Sequence, residues 1–254
     1  MPDPRVVIVT TTFYKSTEET RFKLACKLAR LAVIANNHIL VVVDGSPNED
    51  IKMGLKEAGA TIFPELHRGM GPSRRQAFFH AFEVAHQHDI NIILWTEPEK
   101  VDLINSIPKI IEPIEIGEAD IVIPCRSAKS WETWPAFQRE SEQEANKVYN
   151  EVFGVKDFDP MFGPVAFDRE FGLSFIASRG SESIEDTYIQ HYAPREAAFY
   201  EDAWVKTEEI DMTYPPEQRA EEEGALNDAM REKRKQQLVS LTNAYRALAL
   251  SFSI

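Results

Sequence analysis

The first half of the chain alternates short apolar runs with stretches of helical periodicity. Arg5–Thr10 (RVVIVT) is rich in β-branched residues and ends in a polar loop, the pattern of a buried strand. Ser16, three residues before Glu19, is a capping-box signal for a helix running to about Ala35. That helix carries Phe22, Cys26 and Ala29 on one face, with Ala25, Leu28 and Ala32 beside them. His38–Val43 (HILVVV) predicts a second strand, closed by the turn Asp44-Gly45-Ser46-Pro47. A short helix near Asn48–Ala58 and a weak strand at Ala60–Phe63 follow. Pro72 opens another helix, where its missing N–H is harmless, and Ala77, Phe78, Ala81, Phe82 and Ala85 turn inward. Asn91–Trp95 (NIILW) and Asp120–Pro124 (DIVIP) are the next strands.

Strands alternating with helices imply parallel βαβ units with right-handed crossovers. Such sheets bind ligands outside the carboxyl ends of their strands, and polar sequence collects there: Thr10–Thr12, Asp44–Ser46 and Thr96–Lys100. The second half changes character. Phe137–Phe153 reads as helix, followed by a loop containing Asp157, Asp159, Pro160, Gly163 and Pro164. Glu182–His191 reads as helix, with Pro194 ending or kinking it. A strand-like segment at Ala203–Met212 leads to Pro215-Pro216, and a long charged helix runs from about Glu217 to the end.

A hydrophobic fraction of 43% is enough to bury a core, and 254 residues suit one large α/β domain. No apolar run approaches the roughly 18–20 residues that span a bilayer. The N-terminus lacks the basic start and cleavage region of a signal peptide. Cys26 and Cys125 define neither a disulfide framework nor a zinc spacing. These features together predict a reducing, cytoplasmic setting. The net charge of −13 excludes a dominant nucleic-acid role, since phosphate neutralisation needs basic surface. A local basic pocket for a single nucleotide remains compatible with it. The basic run Lys233-Arg234-Lys235 reads as a solvated helix face.

Arg68–Gln76 (RGMGPSRRQ) lies between a strand and a helix. Gly69 and Gly71 allow close backbone approach, and a helix N-terminus offers free N–H groups to an anion. Arg68, Arg74 and Arg75 add forked donors suited to phosphate. The segment is neither a Walker loop nor a dinucleotide fingerprint; the plainer reading is a capped helix with surface arginines. Further on, Glu97 and Glu99 flank Pro98 just past a central strand. Hard cations such as Mg²⁺ or Mn²⁺ take carboxylate oxygens together with diphosphate oxygens. Lys100 either neutralises phosphate directly or pairs with a glutamate. Asp44, in its DGS turn, is a candidate acceptor for a base N–H or ribose hydroxyl, or else an Asx-turn cap.

The order TTxF after the first strand, DGS after the second, a Gly/Arg loop opening a helix, and an acidic-x-acidic motif after a strand resembles the GT-A glycosyltransferases. Glu-Pro-Glu stands where those enzymes usually carry Asp-x-Asp. Phe158–Arg169 (FDPMFGPVAFDR) resembles the segment forming their acceptor side, and Glu185-Asp186 their acidic pair at a helix start. The layout resembles both inverting family-two-like enzymes and retaining ones of the mannosylglycerate synthase kind, over residues 5–215. The resemblance implies an α/β fold with a mostly parallel sheet flanked by helices and a C-terminal helical extension. It implies one domain over 1–254, divided into a nucleotide-sugar-binding half (1–125), an acceptor half (126–215) and a C-terminal helix (216–254).

It also implies glycosyl transfer, specifically of a hexose, from a nucleotide-diphosphate sugar to an acceptor hydroxyl. Thr11, Phe13 and Asp44 would hold the nucleoside, with Arg68, Gly69 and Gly71 closing over it. Arg74, Arg75 and Lys100 would serve the phosphates, and Glu97 and Glu99 a divalent Mg²⁺ or Mn²⁺. Asp186, Glu185 or Asp159 would serve as base or acceptor contact. After Tyr214 come Glu217, Gln218 and Glu221, but not the histidine that retaining relatives often add as a metal ligand. His191 lies within reach of the same cleft, though a lone helical histidine is more often structural. Trp131 and Trp134 are candidates for a sugar platform or core packing, and Arg126 for an acceptor or phosphate contact. The rival readings are a catalytically inactive sugar-nucleotide-binding scaffold and a nucleotidyltransferase, the latter disfavoured by the TTTFYKSTEET loop after the first strand. The C-terminal helix, with Leu238, Leu241, Tyr245, Leu248 and Leu250, packs on its own domain or forms a homodimer; self-packing is the expectation.

Overall fold

In a computed structural model, which describes residues 6–178, 188–224 and 228–252, the apolar runs form a seven-stranded sheet in the order β3-β2-β1-β4-β6-β5-β7. The strands are β1 (Val7–Thr12), β2 (Ile39–Asp44), β3 (Thr61–Pro64), β4 (Ile92–Trp95), β5 (Ile121–Arg126), β6 (Val165–Asp168) and β7 (Val205–Ile210). All pairings are parallel except those of β6, which runs antiparallel to both β4 and β5. The fold is thus the mostly parallel α/β sheet expected from the alternation. Only β6 goes unannounced in the sequence: four residues after a Gly-Pro pair carry too little pattern to be read.

The continuous apolar runs follow from burial on both faces. Along β1, Ile8 and its neighbour Val6 face one layer, while Val7 and Val9 face the other. The first layer contains α1 (Thr20–Ala29), α2 (Glu49–Glu57) and α4 (Ile107–Glu115). The opposite layer contains α3 (Met70–Gln87), α6 (Ala136–Phe153), α7 (Gly172–Ala177), α8 (Ile189–Tyr200) and α10 (Asp228–Ser251). Short α5 (Ala128–Thr133) follows β5, and α9 (Pro216–Gly224) follows β7. The helix face read on α1 is buried as expected at Phe22, Ala25, Cys26, Leu28 and Ala29.

Two expectations change in detail. The capping box forms only in part: Glu19 reaches back to the Ser16 N–H at 3.0 Å, but the helix begins at Thr20 and ends in a π-helical stretch, Arg30–Ala35. Of the helix read over Glu182–His191, residues 182–187 lie outside the described residues; α8 runs from Ile189 to Tyr200 with Pro194 inside it, so Pro194 does not end the helix. The C-terminal extension is helical wherever it is described, over Pro216–Gly224 (α9) and Asp228–Ser251 (α10). Leu241, Tyr245 and Leu248 of α10 are buried in the chain's own core, with the Tyr245 ring 5.1 Å from that of Tyr149 on α6, whereas Leu250 stays exposed. Among the described residues, no helix is long and apolar enough to cross a membrane.

Candidate active site

At the carboxyl ends of β1 and β2 the loops are tied together by one buried aspartate. Asp44 accepts from the Thr12 hydroxyl at 2.7 Å, and from the Ser46 hydroxyl (2.6 Å) and N–H (3.2 Å). Ser46 in turn accepts from the Tyr14 N–H at 2.9 Å. Asp44 is 1% exposed, and these bonds make it the residue that shapes the loop beside the pocket. The turn is also tight at Gly45, where a Cβ would lie 2.4 Å from the Glu65 carboxylate.

The loop so held forms one wall of a pocket of about 320 Å³, with Thr10, Thr11, Phe13, Tyr14, Arg74 and Trp95 among its lining residues. Phe13 is 61% exposed, an aromatic face left to the pocket and solvent. Three buried polar atoms of this lining have no partner among the described residues: Thr10 Oγ1, Tyr14 OH and Trp95 Nε1. A buried donor left unsatisfied costs about 1–3 kcal/mol, so such groups mark a place where a polar ligand or water completes the structure. Burial, then the Glu99 charge, pushes the Tyr14 phenol far up, keeping its proton in place as a donor.

The Gly/Arg segment divides. Gly69, with φ 115°, takes a backbone conformation that only glycine adopts easily, and α3 starts at Met70 with Pro72 in its first turn. Successive helical residues point about 100° apart, and this separates Arg74 from Arg75. Arg74 is buried, donates to Gln190 at 3.0 Å and lies 5.3 Å from the Trp95 ring centroid. Burial pushes its pKa down, and Glu97 opposes that shift. Arg68 and Arg75 instead line a separate groove with His67, Phe79 and His80, and Arg75 reaches the Ser178 carbonyl at 3.5 Å. Neither of them lines the pocket beside Thr11 and Phe13. Neither Gly69 nor Gly71 lines the pocket; Met70 between them does.

A second pocket, of about 280 Å³, adjoins the first and shares Arg21, Met70, Glu97 and Glu99 with it. Together they fall in the range of small-molecule sites, roughly 300–1,000 Å³. At the junction the turn after β4 places the Lys100 ammonium 2.6 Å from Glu97 Oε2, and Arg21 Nε lies 3.8 Å from Glu99 Oε1. On the far side Gln138 donates its amide to Glu142 at 2.7 Å, and Gln218 donates to Glu222 at 3.1 Å. A carboxylate accepts only, so each amide nitrogen is committed and each Oε1 faces away from it. Both Oε1 atoms are buried without a partner among the described residues; they suit a hydroxyl that donates.

His191, better read from the sequence as structural, lines this second pocket. Its Nδ1 lies 2.8 Å from the Tyr245 hydroxyl, and its ring stacks on Tyr188 at 5.1 Å. Burial, followed by the charges of Arg74 and Lys100, lowers its pKa to about 3, so the imidazole is neutral at physiological pH.

Asp159 does not fit a base. It is 4% exposed, and both oxygens are occupied: Arg126 Nε and Nη2 each at 2.7 Å, Asn146 at 2.5 Å and the Phe162 N–H at 3.2 Å. Arg126 also binds Glu142 at 2.5 Å and stacks 3.6 Å from the Trp131 ring centroid. This network ties Asp159 and Arg126 into the fold, with half-buried Trp131 stacked on the guanidinium, while Trp134 is buried but borders the second pocket. Glu185 and Asp186 lie outside the described residues.

Comparison with solved structures places the arrangement. Glucosyl-3-phosphoglycerate synthase of Mycobacterium tuberculosis superposes with a TM-score of 0.59 at 11% identity, covering 96% of this chain and 81% of that one. The same enzyme in complex with Mn²⁺, UDP and phosphoglyceric acid superposes at 0.55 and 14% identity, covering 94% and 78%. A mycobacterial protein without a stated activity superposes at 0.62 and 11% identity, covering 96% and 75%. The chain has the GT-A fold. At these identities the likeness is one of fold. No protein-family model and no curated protein matches the sequence. The order of motifs that resembled the GT-A enzymes thus corresponds to a shared chain path, with the TTxF loop, Met70 and the Glu-Pro-Glu turn meeting at one cleft.

Proposed function

We propose that the protein is a glycosyltransferase, moving a hexosyl group from a nucleotide-diphosphate sugar to an acceptor hydroxyl. The observation that carries this reading is the two-part cleft, in a GT-A fold, whose two ends are lined by residues carrying different kinds of buried, unpartnered polar atom. Donors sit at the β1/β4 end (Thr10 Oγ1, Tyr14 OH, Trp95 Nε1) and acceptors at the far end (Gln138 Oε1, Gln218 Oε1). The nucleoside is assigned to the first pocket beside Thr11 and Phe13, the diphosphate to the junction near Lys100, Arg21 and Arg74, and the sugar and acceptor to the second pocket.

In the reaction, the acceptor oxygen bonds to the anomeric carbon as the bond from that carbon to the diphosphate oxygen breaks. The electron pair leaves with the nucleoside diphosphate, and positive groups at the junction stabilise the growing charge. The hydroxyl proton passes to Asp186 or Glu185 in an inverting reaction, or to the departing diphosphate in a retaining one. UDP and Mn²⁺ accompany the M. tuberculosis enzyme in its crystals; for this chain a uridine donor is the first to try.

The test is thermal unfolding with UDP-, GDP-, ADP- and dTDP-sugars, followed by assay of nucleoside diphosphate release. A ligand at 100 times its Kd adds about 2.7 kcal/mol to stability, a readily measured rise in Tm. Stabilisation with turnover supports the transferase. Stabilisation without turnover across a broad acceptor panel favours the inactive sugar-nucleotide-binding scaffold, a reading supported by one observation: Glu97, Glu99, Glu142 and Glu222 in the cleft are all paired.

A further inference from the structure

In the GT-A resemblance, the acidic pair after the fourth strand holds the donor diphosphate through a divalent metal. The residues here do not fit that use. Glu97 Oε2 lies 2.6 Å from the Lys100 ammonium, with the two side chains only 25% and 16% exposed. The pair is built in rather than incidental. The turn hydrogen bond from Lys100 N–H to the Glu97 carbonyl (3.1 Å) fixes their spacing, and the Lys100 ammonium lies 5.7 Å from the Phe162 ring centroid. The Glu97 carboxylate packs so closely on Gly163 that a Cβ there would lie 2.2 Å from its Oε1. Glu99 faces Arg21 at 3.8 Å, and Arg21 also bonds Glu222 at 3.1 Å.

A hard dication binds directly to carboxylate oxygens, and a cation already held against those oxygens competes with it. Here each carboxylate of the pair already faces a cation, and a dication would meet those fixed charges at close range. A diphosphate oxygen would share the Lys100 ammonium with Glu97 and so bring the counter-charge that a dication lacks.

We propose that this chain binds its donor's diphosphate without a metal, with Lys100, supported by Arg21, supplying the positive charge. The proposal rests on the nucleotide-diphosphate reading of the cleft. Lysine suits the role as a compact point charge. As the anomeric bond breaks, the electron pair settles on the leaving β-phosphate oxygen beside the ammonium, and no proton need move for that charge to be balanced. Glu97 then serves as a positioning residue, holding Lys100 at the junction of the two pockets.

The experiment is calorimetric titration of the full chain with UDP, GDP, ADP and dTDP, in EDTA and again in Mn²⁺. The inference expects the tightest-binding nucleotide to show affinities within about twofold in the two conditions. Lys100→Ala should weaken its binding in EDTA by about tenfold, the effect of one lost charge-assisted contact. Mn²⁺ should restore part of that loss, because Glu97 is now uncommitted. Lys100→Arg should retain binding in EDTA, showing that charge, not folding, is what the alanine variant lost. Wild-type binding that appears only with Mn²⁺ would overturn the inference while leaving the donor reading intact. Undiminished EDTA binding by Lys100→Ala would overturn the role given to Lys100. Binding of no nucleotide in either condition would remove the donor reading, and this inference with it.

Discussion

Arg126 and Lys100 each hold a carboxylate at close range, yet the two clusters differ in what can reach them. Around Arg126 the side chains of Arg126, Asp159 and Glu142 are 0%, 5% and 5% exposed, and hydrogen bonds converge on Asp159 from four groups. Around Lys100 the exposures are 16% and 25%, Arg21 reaches 51%, and both pockets open onto the cluster. A buried ion pair offsets its desolvation only when every group is satisfied. The Arg126 cluster meets that condition internally, pinning the Asp159–Phe162 loop to β5 and α6. The Lys100 cluster is paired but more exposed, and the unpartnered atoms on residues lining the same two pockets mark where an outside ligand would bind. Cation–carboxylate pairs therefore make a scaffold in one place and a candidate reaction site in the other.

The largest effect that would test this contrast is at Asp159. Removing one partner of a buried pair costs about 3–5 kcal/mol, so Asp159→Ala should lower Tm steeply, and Asp159→Asn should do so too by stranding the Arg126 charge. If Asp159→Asn instead keeps the wild-type Tm and loses only turnover, Asp159 belongs with the reaction site after all.

A pH effect of similar scale should arise at His191, which lies under the Lys100 cluster. Its pKa is near 6.5 in the unfolded chain and about 3 in the folded protein. Below pH 6.5 the unfolded state therefore takes up a proton that the folded state refuses. Its contribution is complete above that pH and is lost as pH falls toward 3, by up to about 1.4 kcal/mol per pH unit. Urea unfolding of His191→Gln should show a shallower acid loss than wild type; an unchanged slope would remove this assignment.

A smaller effect should separate ligand binding from stability. Thr10→Val keeps the side-chain shape and removes the unpartnered hydroxyl. It should leave the Tm of the unliganded protein unchanged or slightly raised, and weaken nucleotide binding by about 1 kcal/mol, the net value of one hydrogen bond. A drop in Tm with unaltered affinity would mean the hydroxyl serves the fold. The smallest effect belongs to Arg68→Ala, on the separate groove. It should change nucleotide affinity by less than about twofold, within the range of a surface charge far from its ligand, and a tenfold loss would return the Gly/Arg segment to the donor site.

Much of the fold was legible because burial on both sheet faces demands continuous apolar strands, which the sequence displays at RVVIVT, HILVVV, NIILW and DIVIP. β6 was not legible, since four residues after Gly163-Pro164 leave almost no periodic signal. The site was legible in outline: Thr11, Phe13, Arg74, Glu97, Glu99 and Lys100 all reach the cleft. Its selection was not. Adjacent arginines 74 and 75 look alike in sequence, but the rotation of α3 sends one inward and the other to a different groove. Gln138, Gln218 and His191 carry no motif; they matter because α6, α9 and α8 converge on one cavity.

The sequence by itself determined the strand and helix alternation, the placing of polar residues at strand ends and the local turn that couples Glu97 to Lys100. These depend on periodicity, backbone stereochemistry and short-range spacing. The tertiary structure alone decided which charges are consumed internally. Asp44 and Asp159 are as acidic in sequence as Glu97, but each is enclosed by donors from distant segments. Whether a carboxylate is scaffold or chemistry depends on its desolvation and its partners, and both are properties of packing between segments far apart in the chain.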